Sequence, residues 1–350
     1  MKGIFSKSKV SLFSDIHIGL HGDSLVWHKV AMDFADWFIA ILEREKIKDV
    51  IFCGDFFHYR EEVNQTTLDC GTELLMKFKK FNIIMTTGNH CCYYKNNSEI
   101  HSLKPFKEWP NVTVFDKLET IEQYGKKMSF CPWGTIINDI PVSDIIFGHF
   151  EIKNFKINSI KICDHGEDSS NLLEKGKSII SGHFHTRDHR KYENGEILYL
   201  GSPFEQNFGE VNHPKGITIL NLENMNYEFV ENTISPKHIK ISLTSILDKS
   251  INLKTTVTGN VITLIVDQKL NEDTLNLVVS KIALLKPLQF KHEFTFEDTL
   301  VASKTIEKIS IGVDEALNDF INVLITEVNK KDIYDKCIEF YNEARTITEN

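Results

Sequence analysis

Five short strand-like runs before residue 186 each end in a side chain that can hold a metal ion, and this recurrence constrains the fold more than any other feature of the chain. VSLFS (10–14) runs into Asp15-Ile16-His17, and DVIFC (49–53) into Gly54-Asp55, with His58 three residues on. NIIMTT (82–87) leads to Gly88-Asn89-His90, DIIF (144–147) to Gly148-His149, and SIIS (178–181) to Gly182-His183-Phe184-His185. Strand side chains alternate between faces, so apolar runs of this kind lie between two layers and whatever follows them collects at one edge. Ligands in α/β sheets bind outside the carboxyl ends of the strands, where these groups would stand. Glycines ahead of the groups let the backbone turn sharply and approach closely.

Between the runs the pattern changes to helical spacing. Residues 28–46 place Val30, Phe34, Trp37, Phe38, Ile41 and Leu42 on one stripe, and a second helix is expected over about 65–80. The order is βαβαβ, hence an α/β fold with its sheet buried between layers. After residue 105 the runs crowd together (112–115, 128–133, 144–149, 178–183, 196–202, 216–222), which predicts hairpins and a mixed sheet. The pattern changes near Ser235-Pro236. Residues 260–268, a helix over about 272–286 and residues 289–296 predict a small β-α-β unit. Residues 313–328 and 333–344 read as two helices, which either pack on their own domain or dock a partner.

Composition narrows the function less. A formal net charge of −9 over 350 residues argues against binding nucleic acid through bulk positive charge, but a local groove or bound cations can supply the field. Seven scattered cysteines, an odd number, suit reduced thiols better than a disulfide framework. No apolar run has the length of a membrane span, and the opening residues lack a signal-peptide core, so the expected location is the cytoplasm in which the chain is made.

The chemistry of the strand ends is more specific. His183 and His185 stand two apart and point the same way. Asp15, His17, Asp55, Asn89, His149, His183 and His185 together mix carboxylate, amide oxygen and imidazole, a donor set suited to borderline-hard divalent ions such as Mn²⁺. Seven ligands exceed the needs of one ion; two ions can share them if a carboxylate bridges, and Asp55 is central in the order. His183 and His185 would then serve one ion each. Such a pair stabilises the attacking and leaving oxygens of an in-line phosphoryl displacement. His90 is expected to be a non-ligand that hydrogen-bonds the phosphate and protonates the leaving oxygen. His101 and His189 read as surface histidines, and Glu151 as a supporting or structural residue.

In order, DIH, GDFFH, GNHC, GHFE and SGHFH resemble the motifs of the calcineurin-like metallophosphoesterase superfamily. Within it, Asp55-Phe56-Phe57-His58, GHFE (148–151), SGHFHTRD (181–188) and Leu200-Gly201-Ser202-Pro203 are similar to the SbcD-type DNA repair nucleases, the branch of the meiotic-recombination-eleven nuclease and the recombination endonucleases of T-even-like phages. The resemblance covers about residues 8–235. It implies a metallophosphoesterase β-sandwich flanked by helices (1–235), a small α+β capping domain that contacts DNA (236–308) and a C-terminal helical segment (309–350). It also implies one ion on Asp15, His17, Asp55 and His185, the other on Asp55, Asn89, His149 and His183, with His90 catalytic and His58 helping to place the DNA end.

The activity implied is that of a metal-dependent nuclease of DNA recombination and repair, with Mn²⁺ preferred and Mg²⁺ the other candidate. It would act as a 3′→5′ exonuclease on duplex ends and as an endonuclease on single strands and hairpins. The implied assembly is a homodimer with an SMC-like coiled-coil ATPase of SbcC type, docked on the C-terminal helices, in a bacterial or phage-infected cytoplasm. The alternative on the same scaffold is a metallophosphatase or nucleotide phosphodiesterase. One departure stands out: Cys91 occupies the position where the family usually carries an acid that orients the catalytic histidine.

Overall fold

The computed structural model describes residues 4–95, 97–159, 161–295 and 329–348. The predicted helix over 313–328 lies outside the described residues. Residues up to Thr295 form one compact unit, and the helix Lys330–Thr348, which spans the second predicted terminal helix, belongs to a separate unit.

Two six-stranded sheets make the core of the first unit. In chain order their strands are β1 (Lys9–Phe13), β2 (Asp49–Cys53), β3 (Asn82–Thr86), β4 (Val112–Phe115), β5 (Glu119–Gln123), β6 (Lys126–Cys131), β7 (Ser143–His149), β8 (Gly176–Gly182), β9 (Asp188–Tyr192), β10 (Gly195–Tyr199), β11 (Gly216–Asn221) and β12 (Asn226–Glu231). The first sheet has the order β12-β11-β1-β2-β3-β4, the second β5-β6-β7-β8-β10-β9. β1 to β4 are parallel, as are β6, β7, β8 and β10; β11 and β12 add to β1 as antiparallel strands, and β5 and β9 close the second sheet antiparallel at its two edges.

The two-residue period of the runs explains the layering. Val10, Leu12, Ile51, Cys53 and Ile84 face inward and meet Ile145, Phe147, Ile180 and Leu198 between the sheets. Their chain neighbours Phe13, Val50, Phe52, Ile83 and Met85 point the other way, beneath the helices Leu25–Arg44 and Gln65–Lys77. On the far face of the second sheet, Ile146, Ile179, Ile197 and Tyr199 pack with Phe150, Phe155 and the short helix Ser169–Leu173. The strands are therefore apolar on both sides, as runs buried between layers must be.

A third sheet follows residue 237, with β13 (His238–Ser242), β14 (Val261–Val266) and β15 (Gln289–Phe294) parallel in that order. The crossover helix Glu272–Leu284 joins β14 to β15, as the β-α-β pattern predicts, while β13 and the short helices Leu243–Leu247 and Leu253–Val257 add to it. This sheet is seated on the sandwich: Trp27 stacks on His238 at 5.7 Å, and Glu205 accepts the His238 main-chain N–H at 2.6 Å.

Candidate metal centre

The carboxyl ends of β1, β2 and β3 in one sheet and of β7 and β8 in the other meet at one edge of the sandwich, and all seven predicted ligands stand there. Reaching inward from strand ends forces unusual backbone. Asp15, His17, Asp55 and His183 all have positive φ (56°, 49°, 61° and 94°), a region costly for residues other than glycine. Gly88 shows why glycine precedes Asn89: a Cβ there would stand 2.2 Å from Asp55 Oδ1 and 2.6 Å from the Asp55 nitrogen. The His90 N–H uses that approach to donate to Asp55 Oδ1 at 2.8 Å.

Three groups of donors result. Asp15, His17 and His185 offer ligand atoms within 4.8 Å of one another, so do Asp55, His149 and His183, and so do His17, His58 and His90. The carboxylates link the groups: Asp55 Oδ2 is 3.6 Å from His17 Nε2 and 3.2 Å from His149 Nε2, while Asp15 Oδ1 is 4.0 Å from each. Asn89 Oδ1 stands 3.1 Å from His149 Nε2 and 3.0 Å from His183 Nδ1.

Hydrogen bonds on the outer side of the rings fix which nitrogen faces in. His149 Nδ1 donates to the Cys53 carbonyl at 2.8 Å, His185 Nδ1 to Glu210 at 2.8 Å, and His183 Nε2 faces Glu151 at 3.4 Å. Carbonyls and carboxylates only accept, so each ring presents its other nitrogen as a lone pair. His149 Nε2, His183 Nδ1, Asn89 Oδ1 and Asp55 Oδ2 then converge on one another, and His185 Nε2 meets His17 Nε2 at 3.1 Å. Such clusters call for a cation. The residues therefore fit two divalent ions, with outer partners on the imidazoles as in other metal sites.

Electrostatics agree. Burial opposes charge on Asp55, yet the His149 and His17 imidazoles hold its carboxyl well below the usual carboxylate range. Burial likewise opposes charge on His149, but the Asp55 carboxylate outweighs it and pushes the imidazole up to about 9; a divalent cation would take the place of that proton. Burial drives His17 and His183 down, toward the neutral form that a metal ligand requires. His185 is raised, the Glu210 carboxylate overcoming its burial.

The two histidines outside the ligand set sit beside it. His58 Nδ1 is 3.5 Å from His17 Nδ1, and the His90 ring packs edge-on to His17 with centroids 4.8 Å apart. His90 Nδ1 donates to the His58 main-chain carbonyl, which holds the ring by that one nitrogen. That carbonyl orients His90 where the family usually uses an acid. Cys91 points away into the core, 1% exposed, its sulfur accepting the Phe56 N–H at 3.4 Å, and burial pushes its thiol up to about 12. Cys92 is buried too, and all seven cysteines are free.

Sequence reasoning missed the support beneath His185. Glu210 is buried, and besides His185 it accepts from Ser202 Oγ (3.0 Å), Asn207 Nδ2 (2.9 Å) and the buried Lys215 ammonium (2.5 Å). Lys215 also donates to the His185 carbonyl, and Gln206 Nε2 donates to the Asp15 carbonyl at 2.6 Å. These residues lie in an irregular connection with no periodicity to read. One further expectation fails: His101 is not a surface residue but 6% exposed, its Nε2 3.2 Å from Asp116. An acid fifteen positions away buries it, and nothing in the local sequence marks that pairing.

Comparison with known proteins follows the same lines. The chain is 25% identical over 353 aligned residues to exonuclease subunit 1 of Enterobacteria phage T4, covering 96% of this chain and 99% of that protein. An uncharacterized protein of Acanthamoeba polyphaga mimivirus is 24% identical over 245 residues, 62% of this chain but 18% of its own length. Among solved structures, a dimetal phosphatase from Danio rerio aligns with a TM-score of 0.41 at 12% identity, over 65% of this chain and 96% of its own. The model of the calcineurin-like phosphoesterases matches residues 8–209, more than half of the sequence, and the chain belongs to that family.

Proposed function

We propose that this chain is the nuclease subunit of a DNA recombination and double-strand-break repair complex, hydrolysing phosphodiester bonds at a two-metal centre. The observation that carries the reading is the pair of converging donor groups, Asp15–His17–His185 and Asp55–His149–His183, linked by the Asp55 and Asp15 carboxylates, with Asn89 on the second group. Near full-length similarity to a phage exonuclease subunit supports DNA as the substrate rather than a small phosphate ester.

Asp15, His17, Asp55 and His185 would hold one ion and Asp55, Asn89, His149 and His183 the other, with Mn²⁺ preferred by this mix of oxygen and imidazole. Bound there, the ions supply Lewis acidity for a phosphodiester and a nucleophile at neutral pH. The protein's own groups supply the rest. His90, held by the His58 carbonyl, presents Nε2 to the leaving oxygen and gives it a proton. The His58 side chain, beside His17, positions the DNA end. Residues 236–308 act as a cap over DNA, and residues 309–350 dock a coiled-coil ATPase of SbcC type, two nuclease chains forming a homodimer in a bacterial or phage-infected cytoplasm. No helix among the described residues is long and apolar enough to cross a membrane.

The test is digestion of a 3′-labelled linear duplex and of a circular single strand with Mn²⁺, Mg²⁺ or chelator, beside His90→Ala and Asp55→Ala. Label release in Mn²⁺, lost in both variants, is expected. Hydrolysis of small phosphodiesters with DNA left intact, alone and with the ATPase, would refute the reading.

A further inference from the structure

We infer that Glu151, Cys163 and His165 form a separate site for a thiophilic divalent ion of the zinc class, next to the two-metal centre and coupled to it through Glu151. The three residues offer a carboxylate oxygen, a sulfur and a ring nitrogen, all within 4.8 Å of one another. His165 Nε2 is 3.1 Å from Glu151 Oε1 and is the nitrogen that would share an ion with it, since Nδ1, 4.0 Å from Cys163 Sγ, is turned to Asp164 at 2.8 Å; the Cys163 thiol donates to the His165 carbonyl at 3.1 Å. Sulfur, imidazole and carboxylate are the ligands zinc takes, and three from the protein leave a fourth position for water or a further group. The two-metal centre draws on no sulfur, so the donor sets select different ions.

The backbone brings the three together. Residues after β7 run out and return: Asn154 N–H donates to the Cys163 carbonyl and Cys163 N–H to the Phe155 carbonyl, each at 2.8 Å. Nearer the sheet, Glu167 N–H donates to the Glu151 carbonyl at 2.8 Å and Lys153 N–H to the Glu167 carbonyl at 2.9 Å. Gly166, at φ 90°, lets the returning segment close on Glu151, since a Cβ there would stand 2.3 Å from the Glu151 carbonyl oxygen. Cys163 is buried and His165 is exposed, so the site has a fixed sulfur floor and an accessible rim.

Coupling follows from one shared atom. Glu151 Oε1 that contacts His165 also lies 3.4 Å from His183 Nε2, on the outer side of the ring whose Nδ1 faces Asn89. An ion taking that oxygen removes the partner that orients His183. Occupation of the sulfur site is therefore expected to weaken the two-metal centre. This second step rests on the proposed role of His183; the site itself does not.

Co²⁺ titration of the full chain tests the two parts separately. A thiolate-to-cobalt charge-transfer band is expected, retained in Asp55→Asn, lost in Cys163→Ser and at least tenfold weaker in binding in His165→Ala, with one proton released as the thiol gives way to thiolate. His165 is exposed, so its variant tests the site even if Cys163→Ser folds poorly. Absence of the band in the folded protein, or its persistence in His165→Ala at unchanged affinity, would overturn the site. Mn²⁺ binding to the two-metal centre, read by its electron paramagnetic resonance, is expected to weaken when Zn²⁺ is added at one equivalent, and by more than in His165→Ala, where only direct competition for the centre's own ligands remains. If the band appears but Mn²⁺ affinity is unmoved by Zn²⁺, the coupling is overturned and the site stands.

Discussion

Removing the carboxylate of Glu210 tests how the centre is supported, because that one group serves two partners of different kinds. It accepts from His185 Nδ1 at 2.8 Å and from the Lys215 ammonium at 2.5 Å, and both carboxylate and ammonium are buried. Glu210→Ala leaves a buried ammonium without its counter-charge, a loss that costs about 3–5 kcal/mol. At about 2–4 °C per kcal/mol for a domain of this size, the melting temperature should fall by roughly 6–20 °C. The double variant Glu210→Ala/Lys215→Met removes the stranded charge and should recover most of that loss. Metal binding separates the two roles. His185 loses its orienting partner in both variants, so Mn²⁺ affinity should fall about 10–100-fold in each, even where stability returns. Burial opposes the Glu210 charge, but His185 and Lys215 hold its carboxyl below the ordinary value, so its stabilisation is present above about pH 4.3 and is lost as pH falls from there. Calorimetry and Mn²⁺ titration on the three proteins decide the matter. A single variant that melts within 2 °C of the parent, by the same conversion, or a double variant with parental Mn²⁺ affinity, would refute the reasoning.

Other perturbations have equally definite outcomes. His90→Ala should lower DNA hydrolysis by about 10²–10⁴-fold, whereas His58→Ala, which keeps the main-chain carbonyl that orients His90, should cost less; equal losses in a nuclease assay would contradict this division of roles. Cys91→Ala should leave turnover nearly unchanged, since the sulfur faces the core rather than His90; a large fall in kcat with the fold intact would argue otherwise. Mn²⁺ at a hundred times its dissociation constant should raise unfolding free energy by about 2.7 kcal/mol per site, and chelator or Asp55→Asn should abolish the gain in a thermal melt. Burial lowers the His101 imidazole despite its Asp116 partner, so the unfolded state takes up its proton first and stability should fall as pH drops below about 6.5. The urea midpoint should therefore fall less between pH 7 and 5 in His101→Gln.

The centre was legible in the sequence because its signal is local. Asp15, Asp55, Asn89, His149 and His183 each follow an apolar run within a few residues, and alternation plus a parallel order delivers them to one edge without knowledge of distant contacts. Strands that line the outside carry less of this signal. β5 (ETIEQ), β9 (DHRKY) and β12 (NYEFVE) lie at sheet edges, where one side is wet and backbone pairing, rather than burial of apolar side chains, decides the structure. β13 (HIKIS) was equally silent, since it is short and pairs with a strand whose partners come later. Glu210 and Lys215 were illegible for another reason. A buried ion pair is defined by what surrounds it, and nothing in the loop from Phe204 to Lys215 says that it passes under His185.

The position of β1 in its sheet has a consequence for synthesis on the ribosome. β1 leads directly into Asp15 and His17, yet it is flanked by β2 on one side and by β11, made some two hundred residues later, on the other. Its own sheet cannot be completed until translation has passed Glu231, the end of β12. A prematurely terminated product lacks the strand that flanks the run into Asp15 and His17, and one that stops short of His183 also lacks two of the proposed ligands. The fold thus works as a completeness check: under the proposed function, nuclease activity would be withheld until nearly the whole sandwich has emerged.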